Sequence, residues 1–158
     1  MKYRVLVIVL LILALSVGTA MAAKPIIKAD RTYFDVSTGL YMLNGNVYVE
    51  VGNRIIKAKQ ARVSIATLEV WASGGIDLTQ GDINFTGDSV YVYGTQSKAQ
   101  ISGGALFKRS NLSISADNVE FNWDTKIAVF NGAVKTTQND MVTVSDQVRY
   151  HVVNNQFL

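Results

Sequence analysis

The sequence predicts an all-β fold of antiparallel strands arranged as two facing sheets. Three observations lead there: a repeat of fixed length, alternation of apolar and polar residues, and turn chemistry that recurs at two columns of the repeat. Gly45, Gly74, Gly103 and Gly132 are spaced 29 residues apart. The small residues Ala29, Ala58, Gly87, Ala116 and Ser145 keep the same step. No window of helical length carries apolar residues at helical spacing, whereas Ala61-Arg62-Val63-Ser64-Ile65 and Val90-Tyr91-Val92-Tyr93 alternate strictly.

The chain opens with Met1-Lys2-Tyr3-Arg4, an apolar run from Val5 to Val17, and the small-residue stretch Ala20-Met21-Ala22. A basic end, a greasy middle and an A-x-A site are the three parts of a secretory leader. We expect a signal peptide over 1–22 and a folded domain over 23–158. The apolar run holds 13 residues, fewer than the ~20 that span a bilayer. An uncleaved anchor extending to Ala23 is the alternative. Removing Lys2 and Arg4 lowers the formal net charge from +3 to +1, so the basic character belongs mostly to the leader.

From Ile26 onward each repeat reads as two long strands joined by two tight turns. One turn column holds Gly52-Asn53, Gly81-Asp82, Ser110-Asn111 and Asn139-Asp140, pairs that suit the primed turns of antiparallel hairpins. The other lies half a repeat away, at Ser37-Thr38-Gly39, Ala66-Thr67, Thr95-Gln96-Ser97, Asp124-Thr125 and Asn154-Asn155. Within each long strand the alternation slips once, as between Ala58 and Ala61. A change of parity without loss of strand is the mark of a bulge that bends the strand. The repeated glycines sit at matching height in the companion strand, where a side chain would crowd the bend.

The inner faces then read as stacked columns: Phe34, Val63, Val92, Phe121, Tyr150 in one, and Val36, Ile65, Gly94, Trp123, Val152 in the next. The opposite face carries Arg62, Tyr91, Glu120 and Arg149, and beside them Asp35, Ser64, Tyr93, Asn122 and His151. A parallel β-helix with one coil per repeat would also stack apolar columns and is the rival architecture, but hairpin-type pairs at both ends of the unit favour antiparallel strands.

Composition removes several function classes. The chain has no cysteine, so thiol catalysis, cysteine zinc sites and iron–sulfur clusters are excluded. A single histidine, His151, with no Ser/His/Asp arrangement argues against an enzyme. Asp30, Asp88, Asp117 and Asp146 form a column at the bend, where short polar side chains commonly bond local backbone rather than metal. No metal or other cofactor is expected. A near-neutral mature charge without a basic strip argues against nucleic acid.

The run Ile27-Lys28-Ala29-Asp30-Arg31-Thr32-Tyr33-Phe34-Asp35, with Gly39 and Leu43-Asn44-Gly45-Asn46-Val47, resembles the OstA-like repeat of the lipopolysaccharide transport proteins LptA, LptC and the N-terminal part of LptD. The likeness covers the whole expected mature chain. Later copies drift, from Gly-Asn-Val to Gly74-Gly75-Ile76, Gly103-Gly104-Ala105 and Gly132-Ala133-Val134. The resemblance implies a V-shaped β-jellyroll in the periplasm, with an inner groove that shelters the acyl chains of lipopolysaccharide or a related amphipathic lipid. It also implies end-to-end stacking, edge strand to edge strand, with other jellyrolls of the Lpt type or with further copies of itself. An anchored N-terminus would instead suggest an LptC-like acceptor on the inner membrane.

On that basis the expected groove lining is Phe34, Val36, Val63, Ile65, Leu78, Phe85, Val92, Phe107, Phe121 and Trp123. Read from the residues alone, the same columns serve equally as a filled sandwich core. Small residues at Ala61, Ala72, Gly94, Ala99, Ala105 and Ala128 face the same interior and leave room for a ligand. A structural or adhesive repeat protein with a solid centre is therefore the competing expectation. Both the first strand near Pro25-Ile26-Ile27 and the final Gln156-Phe157-Leu158 are candidate edges for strand addition.

Overall fold

The computed structural model describes residues 26–158; the expected leader lies outside the described residues. Eleven strands follow one another: β1 (Ile26–Lys28), β2 (Arg31–Asp35), β3 (Leu40–Val51), β4 (Arg54–Ser64), β5 (Glu69–Gln80), β6 (Ile83–Tyr93), β7 (Lys98–Arg109), β8 (Leu112–Asn122), β9 (Ile127–Gln138), β10 (Met141–His151) and β11 (Gln156–Phe157). From β3 to β11 each strand pairs with the next, always antiparallel. β1 and β2 both pair with β3, against Tyr48–Glu50 and Leu40–Asn44 respectively. They are two pieces of one strand, interrupted at Ala29-Asp30. The antiparallel order rules out the parallel β-helix.

The expected pair of sheets is one continuous sheet folded on itself. Each ladder slips in register at mid-strand, for example between Asn44 and Val47 against β4 and between Ser102 and Ala105 against β8. Hydrogen bonding resumes beyond each slip, so the bulge bends the sheet without dividing it. The bend is built from two successive left-handed residues, Gly45-Asn46, Gly74-Gly75, Gly103-Gly104 and Gly132-Ala133, with φ from 45° to 86°. The first of each pair also lies under a neighbouring strand: a Cβ on Gly74 would sit 2.8 Å from Lys59 Cβ, and one on Gly103 2.6 Å from Asp88 Cβ. Only glycine meets both demands.

Two legs leave this bend. The first runs to the turns at 52–53, 81–82, 110–111 and 139–140. The second runs to the turns at 36–39, 65–68, 94–97, 123–126 and 152–155. The second set of turns repeats a left-handed residue every 29 positions, at Gly39, Leu68, Ser97, Lys126 and Asn155. Two of these five, Leu68 and Lys126, are residue types that give no turn signal, and the repeat places them.

One inner row crosses the second leg from Phe34 through Tyr41, Val63, Val70, Val92, Ala99, Phe121 and Ala128 to Tyr150. Its counterpart on the first leg runs through Val49, Ile56, Leu78, Phe85, Phe107 and Ile114, then turns polar at Thr136 and Thr143. The rows meet out of step. Phe85 of β6 packs against Phe121 of β8 at 5.3 Å between ring centroids, and Phe107 of β7 against Tyr150 of β10 at 5.5 Å. Twist accumulated over many strands displaces one leg along the other.

Candidate functional site

The displacement leaves each leg with an uncovered end. Where the second leg begins, no strand of the first lies opposite, and Phe34, Tyr41 and Ile65 stand partly in solvent. The column expected to line one wall shows the gradient: Val36 is 86% exposed, Ile65 40%, Trp123 7% and Val152 0%. Phe34 and Tyr41 pack ring to ring at 5.1 Å on this apolar shelf. At the other end the uncovered surface is the inner face of β10, with Met141, Thr143 and Ser145. The apolar shelf and this mixed one are thus at opposite ends of the molecule.

Between the shelf and the solid centre lies a cleft of about 110 Å³. Leu78, Val92, Phe121 and Trp123 are among its lining residues, with Leu68 at its shelf side. Phe85 and Phe107 are farther in and fully buried, packed with Phe121, Phe130 and Tyr150 in an aromatic stack. Val63 is buried in the same core. The ten expected lining residues are therefore divided: Phe34, Val36 and Ile65 on the shelf, Leu78, Val92, Phe121 and Trp123 around the cleft, and Val63, Phe85 and Phe107 in packed core. Of the small residues expected to leave room, Gly94 and Ala99 line the cleft, and Ala105 and Ala128 are fully buried in the core. A Cβ at Gly94 would strike the main-chain carbonyl of Leu68, and one at Gly87 would lie 2.6 Å from Ile101 Cγ2.

Two arginines bridge the free ends of the legs. Arg109, the last residue of β7, holds Asp82 with its Nε 2.8 Å from Oδ2 and donates from Nη1 to the carbonyl of Val152. Arg54, the first residue of β4, lies with its guanidinium carbon 4.2 Å from the ring centroid of Trp123. It occupies a column filled elsewhere by Ile83, Leu112 and Met141, and a lone cation in an apolar column was the sequence signal for it. Burial pushes the pKa of its guanidinium down, opposed by the charge of Asp124.

The outer face is mostly polar, although Val142 and Val144 are exposed on it at β10. Ser64, expected on this face, is buried, and its Oγ accepts from the hydroxyl of Thr67 at 2.8 Å in the turn. Trp71 stacks on Tyr91 at 4.9 Å and 17°, and Arg62 lies 5.7 Å from the Trp71 ring. A wider hollow of about 530 Å³ beside this row has a mixed lining, with Asn44, Gln60, Ser73 and Ser89 beside Met42, Trp71 and Tyr91. His151 Nδ1 accepts from Asn154 N in the last turn. Asp30 accepts from the Asn46 amide at 3.0 Å. Among the described residues no group of three or more His, Cys, Asp or Glu side chains gathers as a metal site would.

No protein-family model and no curated relative matches the sequence. Among solved structures the chain is similar to LptH from Pseudomonas aeruginosa, described as the LptA-homologous periplasmic component of the conserved lipopolysaccharide transport device. The likeness has a TM-score of 0.58 at 15% identity, over 76% of this chain and 80% of that one. It establishes the fold: an open antiparallel β-jellyroll of the LptA type.

Proposed function

We propose that this chain is a non-enzymatic periplasmic carrier of lipopolysaccharide or a related envelope lipid, working as one unit of a bridge from inner to outer membrane. The observation that carries the reading is the apolar shelf of Phe34, Tyr41 and Ile65, continuous with the cleft at Leu78, Val92, Phe121 and Trp123. A contiguous exposed apolar face marks a place of binding. Each methylene moved from water onto it gains roughly 0.8 kcal/mol. In this reading residues 1–22 are removed as a signal peptide and residues 23–158 form the carrier; a mature chain that begins at Ala23 supports it, and one retaining Met1 favours an anchored acceptor.

The neighbours in the bridge are further jellyrolls of the Lpt type or copies of this chain. Among the described residues β10 is paired on both sides only at Tyr150 and His151, leaving one edge open from Met141 to Gln147. An open edge of that length accepts an added strand. At the opposite end β2 presents the outer edge of the shelf. Stacking would set one apolar inner face beside the next.

Photo-crosslinking residues at Ile65 and Val92 test the cargo. Lipid adducts at both support the carrier, whereas none at either site contradicts it. A structural repeat protein without cargo is favoured by one feature, the solid stack of Phe85, Phe107, Phe121, Phe130 and Tyr150. It predicts no adduct at any inner position.

A further inference from the structure

The two arginines that bridge the legs differ in what satisfies them. Arg109 has a carboxylate and a carbonyl. Arg54 lies against the face of Trp123 with the charge of Asp124 nearby, but its Nε is buried without an acceptor, and among the described residues it forms no salt bridge. Its cross-strand partner is Gln80. The amide nitrogen of Gln80 donates to Asn53 Oδ1 at 3.2 Å, but its Oε1 is buried without a donor. Both side chains line the cleft, where every other lining residue is apolar or glycine. A buried donor on a cation and a buried acceptor, side by side at the mouth of an oily cleft, form half of a hydrogen-bonded arrangement.

We propose that Arg54 and Gln80 form the head-recognition site of the cleft, taking an anionic amphiphile with a phosphate or carboxylate head that also carries a hydroxyl or amide N–H. The inference rests on the reading that the inner face accepts acyl chains. The guanidinium offers a planar fork that matches phosphate or carboxylate oxygens. The Gln80 oxygen accepts from the neighbouring hydroxyl or N–H. The chain follows the cleft past Leu78 and Phe121 toward the shelf at Ile65. In the empty protein the ring of Trp123 holds the guanidinium by a cation–π contact, which the weaker hydration of arginine makes tolerable. An arriving anion replaces that contact with charge-assisted hydrogen bonds. At about 110 Å³ the cleft is smaller than a full ligand site, so parting of Arg54 from Trp123 is also what widens it.

Calorimetric titration of the whole folded chain with dodecyl phosphate, neutral dodecyl maltoside and inorganic phosphate, each below micelle formation, tests the site. The wild-type chain is expected to bind dodecyl phosphate at least about tenfold more tightly than dodecyl maltoside, the size of one charge-assisted hydrogen bond. Arg54→Gln removes that preference and keeps the neutral affinity. Arg54→Lys retains the charge without the fork and keeps part of the preference, which tests the idea even where the glutamine variant folds poorly. Equal binding of both amphiphiles by the wild-type chain, or an undiminished preference in both variants, overturns the role of Arg54 and leaves the carrier reading standing. Inorganic phosphate binding as tightly as dodecyl phosphate overturns the amphiphile and leaves a plain anion site. Failure of every amphiphile to bind overturns the carrier reading together with this one.

Discussion

Phe107 and Tyr150 face each other across the interior at 5.5 Å between ring centroids, although two strands, β8 and β9, separate β7 from β10 in the sheet. Their meeting fixes the displacement of the legs, and with it which apolar residues are core and which are shelf. Phe107→Ala should cost about 3–5 kcal/mol, the range for emptying a buried aromatic site. Phe34→Ala, at the uncovered end, should cost about 1 kcal/mol or less. Denaturant unfolding of both variants checks the difference, and equal costs would mean that the shelf is covered in solution.

The bend makes a second distinction measurable. Gly103 combines a φ of +80° with the Asp88 side chain pressed against it, whereas Gly104 has a φ of +63° and nothing near its missing Cβ. Ala133 already stands at the position equivalent to Gly104 in the last bend. Gly104→Ala should therefore cost about 1–2 kcal/mol, the strain of one left-handed residue. Gly103→Ala adds a clash to that strain and should cost at least twice as much, read from unfolding midpoints.

Alkaline pH should weaken the packing around Tyr150. Burial raises the pKa of the Tyr150 phenol above its ordinary 10, and Asp82 adds to the rise while Arg109 opposes it. The folded state then holds the proton more tightly than the unfolded chain. Its contribution is complete below pH 10 and is lost as pH rises from there through the folded pKa. Tyr150→Phe should flatten the alkaline decline in stability without abolishing it, because hydrogen bonding to Glu50 raises the Tyr48 phenol, and burial, then the Glu69 hydrogen bond, raise that of Tyr91. Unfolding measured at pH values on either side of 10 reads the slope.

The bends and turns were legible in the sequence because backbone geometry dictates them locally. A left-handed φ restricts residue choice, so Gly45 and its repeats announce themselves at a 29-residue step. The same step located the turns at Ala66-Thr67 and Asp124-Thr125, whose left-handed residues, Leu68 and Lys126, are of types that say nothing. The displacement of the legs was not legible, since it arises from twist summed over the sheet and no residue encodes it. Hence Val36 and Trp123, one repeat column in the sequence, end in opposite environments. Phe85 and Phe107 looked like lining for a related reason: alternation shows which face a side chain occupies, and only the opposing leg determines whether that face is packed. Arg54 was not legible as a site because apolar periodicity shows only that Ile83, Leu112 and Met141 share its column, not which opposing residue meets the cation.

The most direct test of the central claim is extraction of the native chain, purified from a bacterial periplasm without detergent, followed by mass spectrometry of the organic phase. The carrier account predicts acyl-bearing envelope lipid from the wild-type chain and little from a folded variant with Phe34→Asp and Ile65→Asp. Folded wild-type protein that yields no lipid would contradict it.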